Sequence, residues 1–125
     1  MTGSADYSEH MAAEPEELLF SYAELRDPQL QLDMFGRVLP AEPDTLPGYT
    51  VDYVEIDDIR FNDRTGRTVH PHLRPTGNTR DKVLGALLRL TPEEFVAADE
   101  FEVAMFRRVR VTLGSGREAW VYLTA

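Results

Sequence analysis

Glu102 is the residue best placed to do chemistry. Phe95, Ala98 and Glu102 fall at i, i+3 and i+7 of a helix that opens at Thr91. That spacing puts Glu102 on the apolar face, turned inward. It also stands at the helix C-terminus, where the macrodipole is negative and disfavours a carboxylate. Desolvation acts in the same direction, raising the pKa toward the range a general acid/base needs near neutral pH. The same spacing fits a Glu on a frayed last turn, half exposed or paired with Arg107 or Arg108. The second candidate is Tyr22-Ala23-Glu24-Leu25-Arg26, between a strand and a helix. Such a loop can offer backbone N–H groups to an anion. Ala23 is small but keeps a Cβ, so it allows less close approach than Gly. The third is His70-Pro71-His72, whose imidazoles share one face of a strand and could meet a metal. No third ligand is evident nearby, so a place on a polar surface is the simpler reading and no metal is expected. No nucleophile elbow, P-loop, dinucleotide fingerprint or H-E-x-x-H is present, and Ser21 and Ser115 lack a triad context.

These residues need a domain to hold them. The chain has 125 residues, with 42% hydrophobic, 10% aromatic and 28% charged, ordinary for one soluble domain. Its 22 acidic and 13 basic residues give a net charge of -9. That excess argues against nucleic acid and against an anionic membrane surface as partners. Residues 1 to 17 hold five acidic and no basic residues, so -5 of the -9 sits there. This stretch lacks apolar periodicity and is read as a mobile acidic tail or leader rather than a signal peptide, with one domain over residues 18–125. Zero cysteines exclude a disulfide scaffold and a thiolate zinc site, and fit a cytoplasmic protein. No apolar run is long enough to span a membrane.

Leu18 to Tyr22 reads as a short buried strand, followed by an Asp27-Pro28 helix start and a Gly36 stop. Arg37 to Ala41 reads as a possible strand, and Pro43 to Gly48 as turn. Tyr49 to Ile56 alternates as a half-buried strand. Asp57 to Gly66 reads as irregular, and Thr68 to Arg74, interrupted by Pro71, as an edge strand or a bulged one. Val83 to Leu90 reads as a central strand in which Gly85 marks close approach. Thr91-Pro92-Glu93-Glu94 is a capping box. A hairpin around Gly114-Ser115-Gly116 follows. Six short strands and two short helices predict an α+β fold around a mostly β core, a small barrel or a strongly curled sheet.

Together these pieces resemble the gamma-glutamylcyclotransferase-like family, including its avirulence-induced plant members and its bacterial branch. Leu18 to Arg26 is similar to the family's apolar strand followed by Tyr-Gly-Thr/Ser-Leu-Arg. Leu46-Pro47-Gly48-Tyr49 is similar to its Leu-Pro-Gly-Tyr/Phe turn, and Val83 to Leu88 to its Val-x-Gly strand. Asp99-Glu100-Phe101-Glu102, then Phe106-Arg107-Arg108-Val109, and Ala119 to Tyr122 complete the ordered set. The resemblance implies a small mixed β-barrel flanked by short helices, and release of 5-oxoproline from gamma-glutamyl compounds by attack of the substrate's own α-amine on its γ-carbonyl. It implies Glu102 as the base and then the acid. It implies Tyr22, Ala23, Glu24 and Leu25, with Phe106 and Tyr122, as substrate-binding, and no metal or organic cofactor. The partner is a small gamma-glutamyl or related amine-bearing molecule.

Three positions depart from the family's pattern. Its Gly is Ala23, its Thr or Ser is Glu24, and its Tyr before Arg-Arg is Phe106. A carboxylate at position 24 would repel a substrate carboxylate or bind a cation. Glu24 and Glu102 in one cavity would raise one another's pKa. Two further readings therefore stand beside the enzyme: an inactive binding module of the same fold, and a variant acting on a different amine-bearing substrate.

Overall fold

A computed structural model describes residues 16–102 and 106–124. Strand β1 (Glu17–Ser21) leads through a 3-10 turn at Glu24–Arg26 into helix α1 (Pro28–Phe35). Then come β2 (Ala41–Pro47), β3 (Tyr49–Glu55), α2 (Ile59–Thr65), β4 (Val69–Pro75), β5 (Lys82–Leu90), α3 (Pro92–Glu102), β6 (Phe106–Thr112) and β7 (Glu118–Thr124). A five-stranded sheet has the order β2-β5-β1-β7-β6, and β3 and β4 form a separate pair. The sheet is mixed: β1 runs antiparallel to β5 and parallel to β7.

β1 sits at the centre because it is apolar on both faces. Successive side chains point to opposite sides of a strand. Leu19 therefore joins the core under α1 and α3, with Leu30, Phe95, Ala98 and Phe101. Phe20 joins a second core on the other face, with Leu46, Leu73, Val83 and Val121. Leu88 and Leu87 of β5, and Tyr122 and Val121 of β7, divide in the same way. Double burial explains why these strands read as unbroken apolar runs.

The helix ends follow local chemistry. Asp27 accepts a hydrogen bond from Gln29 N at 3.0 Å, and Gly36 closes α1 in the left-handed region at φ 74°. Asp27→Ala is expected to cost about 1 kcal/mol of stability in chemical denaturation, with an unchanged m-value. The capping box is formed: Glu94 N donates to Thr91 Oγ1 at 3.2 Å, and Thr91 N donates to Glu94 Oε1 at 2.9 Å. Glu94 also takes both arms of the Arg37 guanidinium, at 2.7 and 2.8 Å, which ties the end of α1 to the start of α3.

Four expectations need correction. The sheet is curled, but no closed barrel forms. The β6–β7 turn reaches the edge strand β2, where Gly114 N donates to Thr45 O at 2.8 Å and the Ser115 hydroxyl donates to Asp44 at 2.6 Å. These bonds tie one corner, and the edge strands β2 and β6 are not paired along a ladder. Second, residues 37–40 are not a strand; the strand is Ala41–Pro47. Its Pro43 is tolerated because β2 is an edge. Third, Asp57 to Gly66 is not irregular throughout, since it contains α2. Fourth, Glu17 belongs to β1, where its carboxylate accepts from Trp120 Nε1 at 3.0 Å. The remainder of the expected acidic tail, residues 1–15, lies outside the described residues.

Candidate active site

Tyr22, Ala23, Glu24, Leu25, Glu102, Phe106 and Tyr122 all line one small cavity, together with Leu19, Phe20, Ser21 and Pro71. β1 and β7 supply its floor, the turn after β1 one wall, and the end of α3 another. Every residue singled out by the resemblance is thus brought together, although Tyr22 and Tyr122 are 100 positions apart.

Glu102 stands where the helical spacing places it. Burial pushes its carboxyl from the usual 4.5 up to about 8, with the charges of Glu24 and then Asp99 adding to the effect. Among the described residues it has no cationic partner. The alternative pairing with Arg108 is not formed: Arg108 Nε donates to Asp99 Oδ1 at 3.0 Å, and its guanidinium stacks on Phe95 and Trp120. The Tyr122 hydroxyl donates to the same Asp99 oxygen at 2.6 Å. Burial and then Asp99 push the Tyr122 pKa well above its ordinary value. The Tyr22 hydroxyl donates to Tyr122 O at 3.1 Å, and burial, followed by Glu102 and Glu24, raises its pKa as well. Both hydroxyls therefore keep their protons. Asp99 was missed from sequence, although it lies three residues before Glu102, one helical neighbour away.

The turn after β1 is tight. Arg26 N donates to Ala23 O at 3.1 Å and Asp27 N to Glu24 O at 2.9 Å. The amides of Glu24 and Leu25 precede the first of these bonds, so the turn itself offers them no acceptor. Ala23 has φ -140°, a value open to any residue. Its Cβ brings no positive-φ strain; its effect is to occupy space at the cavity wall.

Glu24 is buried, with Arg67 and His70 on its carboxylate. Its Oε2 accepts from Arg67 at 3.1 Å and lies 2.8 Å from His70 Nδ1. His70 Nε2 lies 2.9 Å from both Asn62 Oδ1 and the Arg67 carbonyl oxygen. A backbone carbonyl only accepts, so Nε2 carries a hydrogen. Arg67 and His70 both meet the same oxygen of the Glu24 carboxylate. The cation expected for Glu24 is thus supplied by the chain itself. His70 is spent in this contact, and His72 does not share it. No group of three or more His, Asp or Glu able to hold a metal stands together among the described residues. His70→Ala leaves Asn62 and Glu24 short of partners in a buried setting. A loss of about 2–3 kcal/mol is expected from denaturant midpoints.

The curled mixed sheet with three short helices is the fold of a structure titled gamma-glutamyl cyclotransferase. The chain belongs to the family described as gamma-glutamyl cyclotransferase, AIG2-like, whose sequence model matches residues 19–125. Membership supports a cyclotransferase-like function. A protein from Arabidopsis thaliana solved in solution superposes with a TM-score of 0.68 at 20% identity, over 87% of this chain and 68% of that one. A second Arabidopsis thaliana protein gives 0.69 at 16% identity, over 98% and 66%. A structure titled gamma-glutamyl cyclotransferase gives 0.62 at 16% identity, over 89% and 68%. The chain therefore spans about two thirds of the length of these structures, and at such identities they show the fold alone. No curated protein matches the sequence. No helix among the described residues is long and apolar enough to cross a membrane.

Proposed function

We propose that the chain releases 5-oxoproline from gamma-glutamyl compounds, with Glu102 as its acid/base. The observation that carries this is a carboxyl raised to about 8, facing the turn after β1 across one small cavity. The substrate's α-carboxylate and γ-carbonyl oxygen take the amides at Glu24 and Leu25. Glu102 accepts a proton from the α-ammonium, and the freed amine attacks the γ-carbonyl carbon. A carbon–nitrogen bond forms and closes the five-membered ring. As the bond to the leaving nitrogen breaks, Glu102 returns the proton to that nitrogen, and the ring nitrogen gives its second proton to solvent, leaving a neutral lactam and a neutral amine. The reaction needs orientation, one proton shuttle and a site for the oxyanion, all of which a rigid cavity can supply.

The Arg67 ion pair to Glu24 offsets the repulsion that Glu24 would exert on a substrate carboxylate. This favours an active enzyme over an inactive binding module. Phe106 in place of a tyrosine keeps the ring at the wall and removes only a hydroxyl. The test is incubation with a panel of gamma-glutamyl amino acids and amines, with 5-oxoproline as the readout. Product from at least one compound is expected. No product from any of them, with folded protein, overturns the proposal.

A further inference from the structure

Glu24 has two carboxylate oxygens, and the chain uses one of them. Arg67 Nη2 and His70 Nδ1 both meet Oε2, at 3.1 and 2.8 Å. Among the described residues no group donates to Oε1. A carboxylate accepts at both oxygens, so a buried one with a bare oxygen is short of a partner. Glu24 is 8% exposed, and it lines the cavity that Glu102 also lines. Its position is fixed from outside the cavity. His70 is itself held through Nε2, which lies 2.9 Å from Asn62 Oδ1 and from the Arg67 carbonyl oxygen. Asn62 Nδ2 donates in turn to Ile56 O at 2.8 Å. Oε1 is therefore a stationary acceptor.

We propose that Glu24 is a specificity-determining residue, whose Oε1 receives the α-ammonium of the substrate beside Glu102. An ammonium carries three hydrogens, so two carboxyl groups in one cavity can share it. Glu102, pushed up to about 8 by burial, holds its proton at neutral pH and offers an arriving cation little charge. The carboxylate of Glu24, ion-paired with Arg67, supplies that charge. It also orients the amine. Once Glu102 has taken one proton, the nitrogen keeps two N–H groups and one lone pair. An N–H donated to Oε1 fixes the direction of that lone pair, which is what attack on the γ-carbonyl carbon needs. Glu24 takes no proton itself, and the bonds formed and broken are those of the proposed reaction. Arg67 on the other oxygen weakens the hold on the ammonium, which leaves it able to give up its proton. This inference rests on the cyclotransferase reading for the presence of an α-ammonium.

The experiment compares gamma-glutamyl-alanine with glutaryl-alanine, which lacks only the α-ammonium. Binding is read by calorimetry on the Glu102→Gln protein, where Glu24 is the one carboxylate left among the described residues that line the cavity. The ammonium-bearing compound is expected to bind about tenfold more tightly, the effect of one charge-assisted hydrogen bond. Adding Glu24→Gln keeps the shape and an acceptor for Arg67. The ratio is then expected to fall toward one, with the affinity for glutaryl-alanine unchanged. A merely structural Glu24 would weaken both compounds alike and keep the ratio, which overturns the proposal. Arg67→Gln, at a side chain 56% exposed, is the second arm and carries the test alone if the Glu24 variant does not fold. It leaves Glu24 charged and is expected to raise the ratio; an unchanged or lower ratio overturns the proposal. Equal binding of both compounds before either change also overturns it, and 5-oxoproline release by the unmodified chain then leaves the cyclotransferase reading standing. The expected preference, with no release from any gamma-glutamyl compound, supports the ammonium site while the cyclotransferase reading fails.

Discussion

Glu102→Gln is expected to lower 5-oxoproline release by a factor of about 10² to 10⁴, the range lost with a general acid/base. The same substitution is expected to stabilise the fold above neutral pH. The sign follows from the raised pKa. In the unfolded chain the carboxyl titrates near 4.5, and in the folded protein near 8. Below 4.5 both states hold the proton and the group is neutral in effect. Between these values the unfolded chain has lost its proton while the folded state holds it, so stability falls as pH rises. Above about 8 the cost is complete. The amide cannot ionise and escapes it. A gain of about 2–4 kcal/mol at pH 8.5 is expected, shrinking to nearly nothing at pH 4. Thermal or urea unfolding of both proteins at the two pH values measures it. Loss of activity with gain of stability is the signature of a strained functional group, and a structural Glu would give loss of both.

Gly85→Val is expected to be among the most damaging single changes in the chain. A Cβ at position 85 would stand 2.5 Å from Ser21 O and 2.7 Å from the ring of Phe20. Ser21 is the β1 partner one position away in register, so the obstacle is backbone and cannot swing aside. Phe20 is almost wholly buried and has nowhere to move. The expected loss is about 3 kcal/mol, read from the urea midpoint. Ser21 also lines the cavity, so any folded fraction is expected to bind substrate poorly. An unchanged midpoint would show that β1 and β5 are not in this contact.

Much of this architecture was legible because the local signals agree with the tertiary result. Asp27, Pro28 and Gly36 bound a helix by chemistry that needs no partner. The Thr91 to Glu94 box does the same for α3, and the spacing of Phe95, Ala98 and Glu102 then fixes which way the carboxyl faces. β2 was illegible for the opposite reason. Pro43, Asp44 and Pro47 favour turns locally, and seven residues of pairing with β5 override that preference. α2 has seven residues, too few for an apolar period to declare itself. Its boundaries were nonetheless marked by Asp58 before it and Gly66, at φ 74°, after it. In the site, the inward orientation of Glu102 was readable from one helix. The role of Glu24 was not, because His70 and Arg67 reach it from 46 and 43 positions away. His70 drew attention as a metal ligand, and only the fold shows that its partner is a carboxylate.

The pH dependence of 5-oxoproline release by the unmodified chain tests the central claim most directly. With Glu102 as the base, kcat/KM is expected to rise as the carboxyl ionises, with a midpoint near 8. Activity already complete at pH 6 would remove Glu102 from that role, and no release at any pH from any gamma-glutamyl compound would contradict the function itself.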